Sequence, residues 1–167
     1  MNALRLAANQ STNRDPVVDY DTGTIRAALD ELGSRGWTRL ASGPGSRVAK
    51  FRHLLDEALD LIPSQLALLA VLMLRGPQTA AELRTRCERI YPFASVADVE
   101  SALAALAERE LVRRLPRRPG EREERWTQLL GEDAEVVAAE PVAASSLEER
   151  IASLELRVAA LEARDAG

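Results

Sequence analysis

Residues 24–35 read TIRAALDELGSR and residues 98–109 read DVESALAALAER, and the two lie over one another position by position. Ile25 falls on Val99, Ala28 on Ala102, Leu29 on Leu103, Leu32 on Leu106 and Arg35 on Arg109. Apolar residues at i, i+4 and i+7 mark one face of a helix in each copy. After each helix comes a short apolar stretch (37–40 and 111–115), then a Gly/Pro turn (Gly43-Pro44-Gly45; Pro119-Gly120) and a second stretch expected to end in an aromatic. With one extra residue in the second copy, Phe51 falls on Trp126 and Leu54-Leu55 on Leu129-Leu130. Two short strands about a Gly/Pro turn read as a β-hairpin. Helix then hairpin, twice over, is the back half of a winged helix-turn-helix.

The front half is complete only in the second copy. Residues 64–75, SQLALLAVLMLR, predict a buried helix behind Pro63, with Ser64 as N-cap and Gly76-Pro77 as the stop. Residues 79–90 predict a second helix, opened by the capping box Thr79-x-x-Glu82 and closed by Tyr91-Pro92-Phe93, after which Ser95 caps the third. In the first copy, Asn2 to Asn9 can serve as the second helix, with Leu4 in the place of Leu83, but nothing comparable to 64–75 precedes it. The expected fold class is therefore mainly α with small β-hairpins, a tandem winged helix-turn-helix followed by a C-terminal coiled-coil helix. Its expected divisions are a first winged-helix domain over 1–62, N-terminally incomplete, a second over 63–131, an acidic linker over 132–145 and a short coiled-coil helix over 146–164.

The coil is read from Leu147, Ile151, Leu154, Val158 and Leu161, spaced 4, 3, 4, 3. β-Branched residues at a with leucine at d favour a parallel two-stranded coil, which makes these five the candidate dimerisation residues. Folding of the same stripe back onto the body is the alternative.

Four motifs in order resemble the bacterial YceH-like family, a domain of unknown function: NQSTNRDPV (9–17), GSRVAKFRH (45–53), LRGPQT (74–79) and LPRRPG (115–120). The resemblance spans residues 2–131. It implies a tandem winged-helix fold, with family members carrying further residues ahead of Asn2 that form the missing first helix. It implies no biochemical role.

The chain of 167 residues is 46% hydrophobic but only 4% aromatic, so a core must rest on Leu, Val and Ala. No apolar run approaches the ~18–20 residues of a membrane span, and residues 1–10 have no secretory h-region, which points to the cytoplasm with no membrane partner. One cysteine and one histidine cannot build a Cys/His metal cage, so neither metal nor cofactor is expected. Cys87, among Arg84, Arg86 and Arg89, is either a reactive thiol or a structural one. His53 has no acid partner at a known catalytic spacing, and Gly43-Pro44-Gly45 lacks the pattern of a phosphate loop. No enzyme is read here.

Charge is segregated along the chain. The net value of −4 comes from the acidic stretch 132–167, whereas 63–131 holds eleven basic and nine acidic side chains. Between Gly33 and Leu55 there are five cations and no acid. Winged helices place hairpin cations on phosphates and the third helix in the major groove. The candidate nucleic-acid-binding residues are accordingly Thr24, Arg26, Arg35, Arg39, Arg47, Lys50 and Arg52 in the first copy, and Arg113, Arg114, Arg117 and Arg118 in the second. The leading reading is a homodimeric factor that contacts double-stranded DNA. The alternative is a protein-interaction adaptor, because Asp98, Glu100, Glu108 and Glu110 give the second copy's third helix an acidic face that repels a duplex.

Overall fold

The computed structural model describes residues 1–42, 49–117 and 120–131. Helices α1 (Asn2–Ala8) and α2 (Thr22–Ser34) lead into a hairpin of β1 (Thr38–Leu40) and β2 (Phe51–His53). A one-turn helix, α3 (Leu55–Ala58), precedes α4 (Pro63–Arg75), α5 (Ala80–Cys87) and α6 (Val96–Glu108), and the hairpin of β3 (Val112–Leu115) and β4 (Arg125–Gln128) follows. Both hairpins are antiparallel, with Arg39 across from Arg52 and Arg114 across from Trp126. Gln78 adds a third, single-residue strand by exchanging backbone hydrogen bonds of 3.0 and 2.8 Å with Trp126. This mainly helical chain with two small hairpins is the winged-helix architecture expected from the repeat.

Helix α4 is the central element. Ala67, Leu68, Leu69, Val71 and Leu72 are buried on a broad face covering more than half its circumference, while Met73 and Leu74 are exposed on the other side. Helix α5 offers it Ala80, Leu83 and Cys87, and α6 offers Val99, Leu103 and Leu106, each set at helical spacing. Val112 and Trp126 close the core from the hairpin. Leu55 and Leu61, ahead of α4, are buried in the same core, with Trp37 and Leu59 packed against it.

The caps follow the sequence with one correction. Thr79 Oγ1 accepts from Glu82 N at 3.2 Å while Glu82 Oε2 accepts from Thr79 N at 2.9 Å, and Ser95 and Asp98 make the same exchange at 3.1 and 3.0 Å. Ser64, however, is not the N-cap of α4. Proline suits the first helical position, where its missing N–H costs nothing, so the helix opens at Pro63 and Ile62 takes the cap place. Gln65 Oε1 accepts from Ile62 N at 3.3 Å, and Ser64 is buried inside the first turn. Helix α5 is also shorter than expected: Ile90 and Tyr91 both donate to Cys87 O, turning the chain out of the helix at once. In the hairpins, each aromatic stands at or near the start of the returning strand, not at its end, because Phe51 and Trp126 must face Leu40 and Arg114 across the ladder.

Both repeat helices stop in the same way. Trp37 N reaches Leu32 O at 2.8 Å and Leu111 N reaches Leu106 O at 3.0 Å, each closing over a residue with positive φ. In the first copy that residue is Gly36 (φ 73°); in the second it is Glu110 (φ 56°). A left-handed conformation costs an L-residue with a side chain roughly 1–2 kcal/mol, which glycine escapes at some entropic cost. Glu110 is exposed, so Glu110→Gly should raise stability by about 0.5–1 kcal/mol in chemical denaturation.

The first copy buries much less. Neither α1 nor α2 contains a buried residue; Leu4, Ile25, Leu29 and Leu32 are half-covered, while Leu6, Val17 and Tyr20 are exposed. Polar contacts hold its loop instead. Asn9 donates to Tyr20 O at 2.8 Å and accepts from Tyr20 N at 2.9 Å, so one amide pins both ends of the 10–19 loop. Asp15 N donates to Leu74 O and Arg75 donates to Asn13 Oδ1 at 2.6 Å, fastening that loop to the end of α4.

Candidate nucleic-acid interface

In the first copy α2 and the hairpin supply the candidate surface. Asp21 caps α2 by accepting from Thr24 N at 2.7 Å, and hydrogen bonds from the Thr24 backbone and hydroxyl hold its carboxyl below the ordinary value. Thr24 and Arg26 are exposed on the first two turns of that helix. Arg35 ends it, bonded to Glu31 at 2.8 Å and lying 5.5 Å from the Trp37 ring centre, so its charge is partly used in closing the helix. Arg39 and Arg52 stand directly opposite on the hairpin, Arg52 is ion-paired with Glu57, and Lys50 is exposed at the head of β2. Arg26, Arg39 and Lys50 form no ion pair among the described residues. Arg47 lies outside the described residues.

The second hairpin is differently wired. Arg114 is paired with Glu124 at 3.1 Å and lies 4.8 Å from the Trp126 ring centre; Arg113 is half-buried. Arg117 is exposed towards the turn, and Arg118 lies outside the described residues. On α6 the outward residues include Glu100 and Glu108 and the capping Asp98, an acidic surface where a duplex would need a basic one.

Several arginines that the sequence lists among the basic residues are structural. Arg125 Nη1 bonds Glu82 Oε2 and Pro77 O, both at 3.1 Å, while its Nε meets Glu121 at 3.3 Å, latching the wing onto the start of α5. Arg109 donates to Leu59 O and Asp60 O, tying the end of α6 to the loop before α4. Arg84 donates to Phe93 O and Ala94 O. Apart from the four-residue Arg125–Glu121 pair, no spacing rule marks these bonds, since their partners stand nine to fifty residues away.

Cys87 is the structural thiol of the two alternatives. It is fully buried, its Sγ donates to Ala67 O at 3.6 Å, and burial pushes the thiol up to about 11. Native protein should therefore resist thiol reagents near neutral pH and react at full rate only when unfolded. Because the folded value lies above the unfolded one, the associated stability is complete below pH 9.0 and is lost as pH rises towards about 11. Labelling of native protein at the rate of a free thiol would contradict this. His53 does acquire an acid neighbour, Asp56 at 3.5 Å, because α3 turns back beside β2; with the imidazole largely exposed, the pair forms no enclosed site. Among the described residues no group of three or more His, Cys, Asp or Glu could hold a metal, and no helix is long and apolar enough to cross a membrane.

The fold and this surface define a winged-helix protein whose first helix–hairpin unit carries the exposed cations Arg26, Arg39 and Lys50. The family model described as "Protein of unknown function, DUF480" matches residues 1–121, and the chain belongs to that family. It is 53% identical over 131 residues to a UPF0502 protein of Geotalea uraniireducens, covering 77% of this chain and 59% of that one. It is 47% identical over 153 residues to a UPF0502 protein of Solibacter usitatus, covering 92% and 72%. The chain thus spans roughly six-tenths to seven-tenths of the length of these two relatives. The family resemblance carried by the four sequence motifs holds. Among solved structures, the Lactococcus lactis ZitR C30AH42A mutant aligns with a TM-score of 0.37 at 22% identity, covering 80% of this chain and 77% of that one. S. aureus MepR in DNA-binding conformation aligns with a TM-score of 0.39 at 14% identity, covering 86% and 91%.

Proposed function

We propose that this protein binds double-stranded DNA through its first helix–hairpin unit and acts as a non-enzymatic regulatory factor. The observation that carries the reading is the contrast between the two copies. Arg26 is exposed on α2 and Arg39 and Lys50 on the hairpin that follows, none of them in an ion pair among the described residues, whereas residues 95–108 of the second copy hold acids and no cation and its hairpin pairs Arg114 and Arg125 with acids while leaving Arg117 exposed. In this arrangement α2 enters the major groove, and Arg39, Arg47, Lys50 and Arg52 hold the flanking phosphates. Arg117 and Arg118 are secondary contacts. Counting Arg26 and the four hairpin cations as five phosphate contacts, log K should fall with log salt at a slope of about −4.5, or about 500-fold between 50 and 200 mM. Fluorescence anisotropy of a labelled duplex over that range tests it. Binding that is absent at low salt, or independent of salt, overturns the reading and favours a protein partner for the acidic face of α6.

We propose further that two copies associate through Leu147, Ile151, Leu154, Val158 and Leu161, all outside the described residues. A parallel coil would hold two DNA-contacting units on one particle and raise affinity through effective concentration. Leu154→Glu puts an uncompensated charge in that seam, so light scattering should show the particle mass halved. An unchanged dimer mass would remove the coil from the assembly.

A further inference from the structure

A second basic site lies away from the hairpins. The 10–14 loop, the last turns of α4 and the end of α5 enclose a cleft of about 530 Å³, within the size range of small-ligand sites. Val71, Leu74 and Ile90 give it an apolar floor, with Leu74 and Ile90 open to solvent at 37% and 59%. Arg14, Arg75, Arg86 and Arg89 line it, against Glu88 as the one lining carboxylate. Cations near helix C-termini are favourable in themselves, which accounts for Arg75 and Arg86 at the ends of α4 and α5. It does not account for Arg14, which comes from a different element, nor for apolar side chains left open between four guanidiniums.

The four are held unequally. Arg14 donates to Ala7 O and Asn13 O, and Arg75 donates to Asn13 Oδ1, so these two are fixed in place by the loop. Arg86 lies 3.9 Å from Glu82, too far for a hydrogen bond, and Arg89 has no ion pair among the described residues. Two positioned and two available guanidiniums above an apolar floor suit a ligand with a compact, multiply charged end and a flat apolar body.

We infer that this cleft binds a small organic phosphate with an apolar or aromatic body, its phosphates held by Arg86 and Arg89 with Arg14 and Arg75 behind them. A nucleoside diphosphate is the simplest probe of that class. The site is independent of the hairpin surface, so it stands or falls separately from the DNA-binding reading.

The test is calorimetric titration of the full chain with ADP, pyrophosphate and adenosine at matched ionic strength, beside anisotropy with a short duplex. ADP should bind saturably and more tightly than pyrophosphate, and adenosine should not bind. Arg86→Ala with Arg89→Ala should weaken ADP about tenfold or more, the loss expected for charge-assisted hydrogen bonds, while leaving duplex affinity unchanged. Arg89→Ala alone, which removes no bond within the protein, should give a smaller loss in the same direction. Absence of ADP binding, or binding that survives the double substitution, overturns the proposal. So does a double substitution that spares ADP and weakens the duplex, which would make the cleft a seat for backbone phosphates of nucleic acid.

Discussion

A chain with alanine at Arg39, Arg47, Lys50 and Arg52 is expected to lose roughly a thousandfold or more in duplex affinity at 0.1 M salt, because each phosphate contact contributes about 0.9 log units per decade of salt. Its salt slope should become shallower by about 3.5, leaving a weak residue from Arg26. Arg39, Lys50 and Arg52 are exposed, and Arg52 gives up only a surface pair with Glu57, so circular dichroism should show the fold intact. Arg117→Ala in the other hairpin, outside the five counted contacts, serves as the control and should change affinity little beside the fourfold variant. Unmodified affinity in the fourfold variant would remove the first hairpin from the interface.

The second large effect is on stability, and it compares equivalent places in the two copies. Leu103 is fully buried under α4, so Leu103→Ala should cost about 3 kcal/mol from lost transfer energy and the cavity left behind. Leu29, which occupies the same repeat position, is only half-covered, and Leu29→Ala should cost about 1 kcal/mol. Denaturation of the two variants measures the difference. Amide exchange gives a second view of it: α1 and α2, without a buried residue, should exchange faster than α4 and α6. Equal costs at Leu29 and Leu103 would mean that another surface covers the first copy in solution.

What the sequence shows well is whatever rests on local periodicity. The overlay of 24–35 on 98–109 gives both repeat helices, and Thr79-x-x-Glu82 and the Ser95 cap mark the starts of α5 and α6. The hairpins are legible as hairpins, but their register is not, and with it goes the knowledge of which charges meet. Arg114 looks as available as Arg39 in the sequence; only the pairing that brings Glu124 beside it separates them. Arg125 reads as one more wing cation until its bonds to Glu82 and Pro77 O are seen. The Arg14–Arg75–Arg86–Arg89 cleft gives no sequence signal, because the 10–14 loop that forms one wall is far along the chain from α4 and α5 and each arginine has an ordinary place on its own element. The one-turn α3 is too short for any periodicity to reveal.

The burial of Leu55 and Leu61 bears on how this chain can be taken apart. A repeat invites a cut between its copies, and Pro63, opening a long helix, looks like the natural seam. A fragment starting there would leave behind two leucines that close the edge of its core and the Trp37 and Leu59 packed against it. The remaining piece would present those same side chains to water with nothing to cover them. The two halves resemble each other as words but share one sentence: the segment after the first hairpin is grammatically part of the second copy. A unit that has lent its last residues to its neighbour is expected to fold with it as one piece, and a chain cut at Pro63 should be less stable than the intact one.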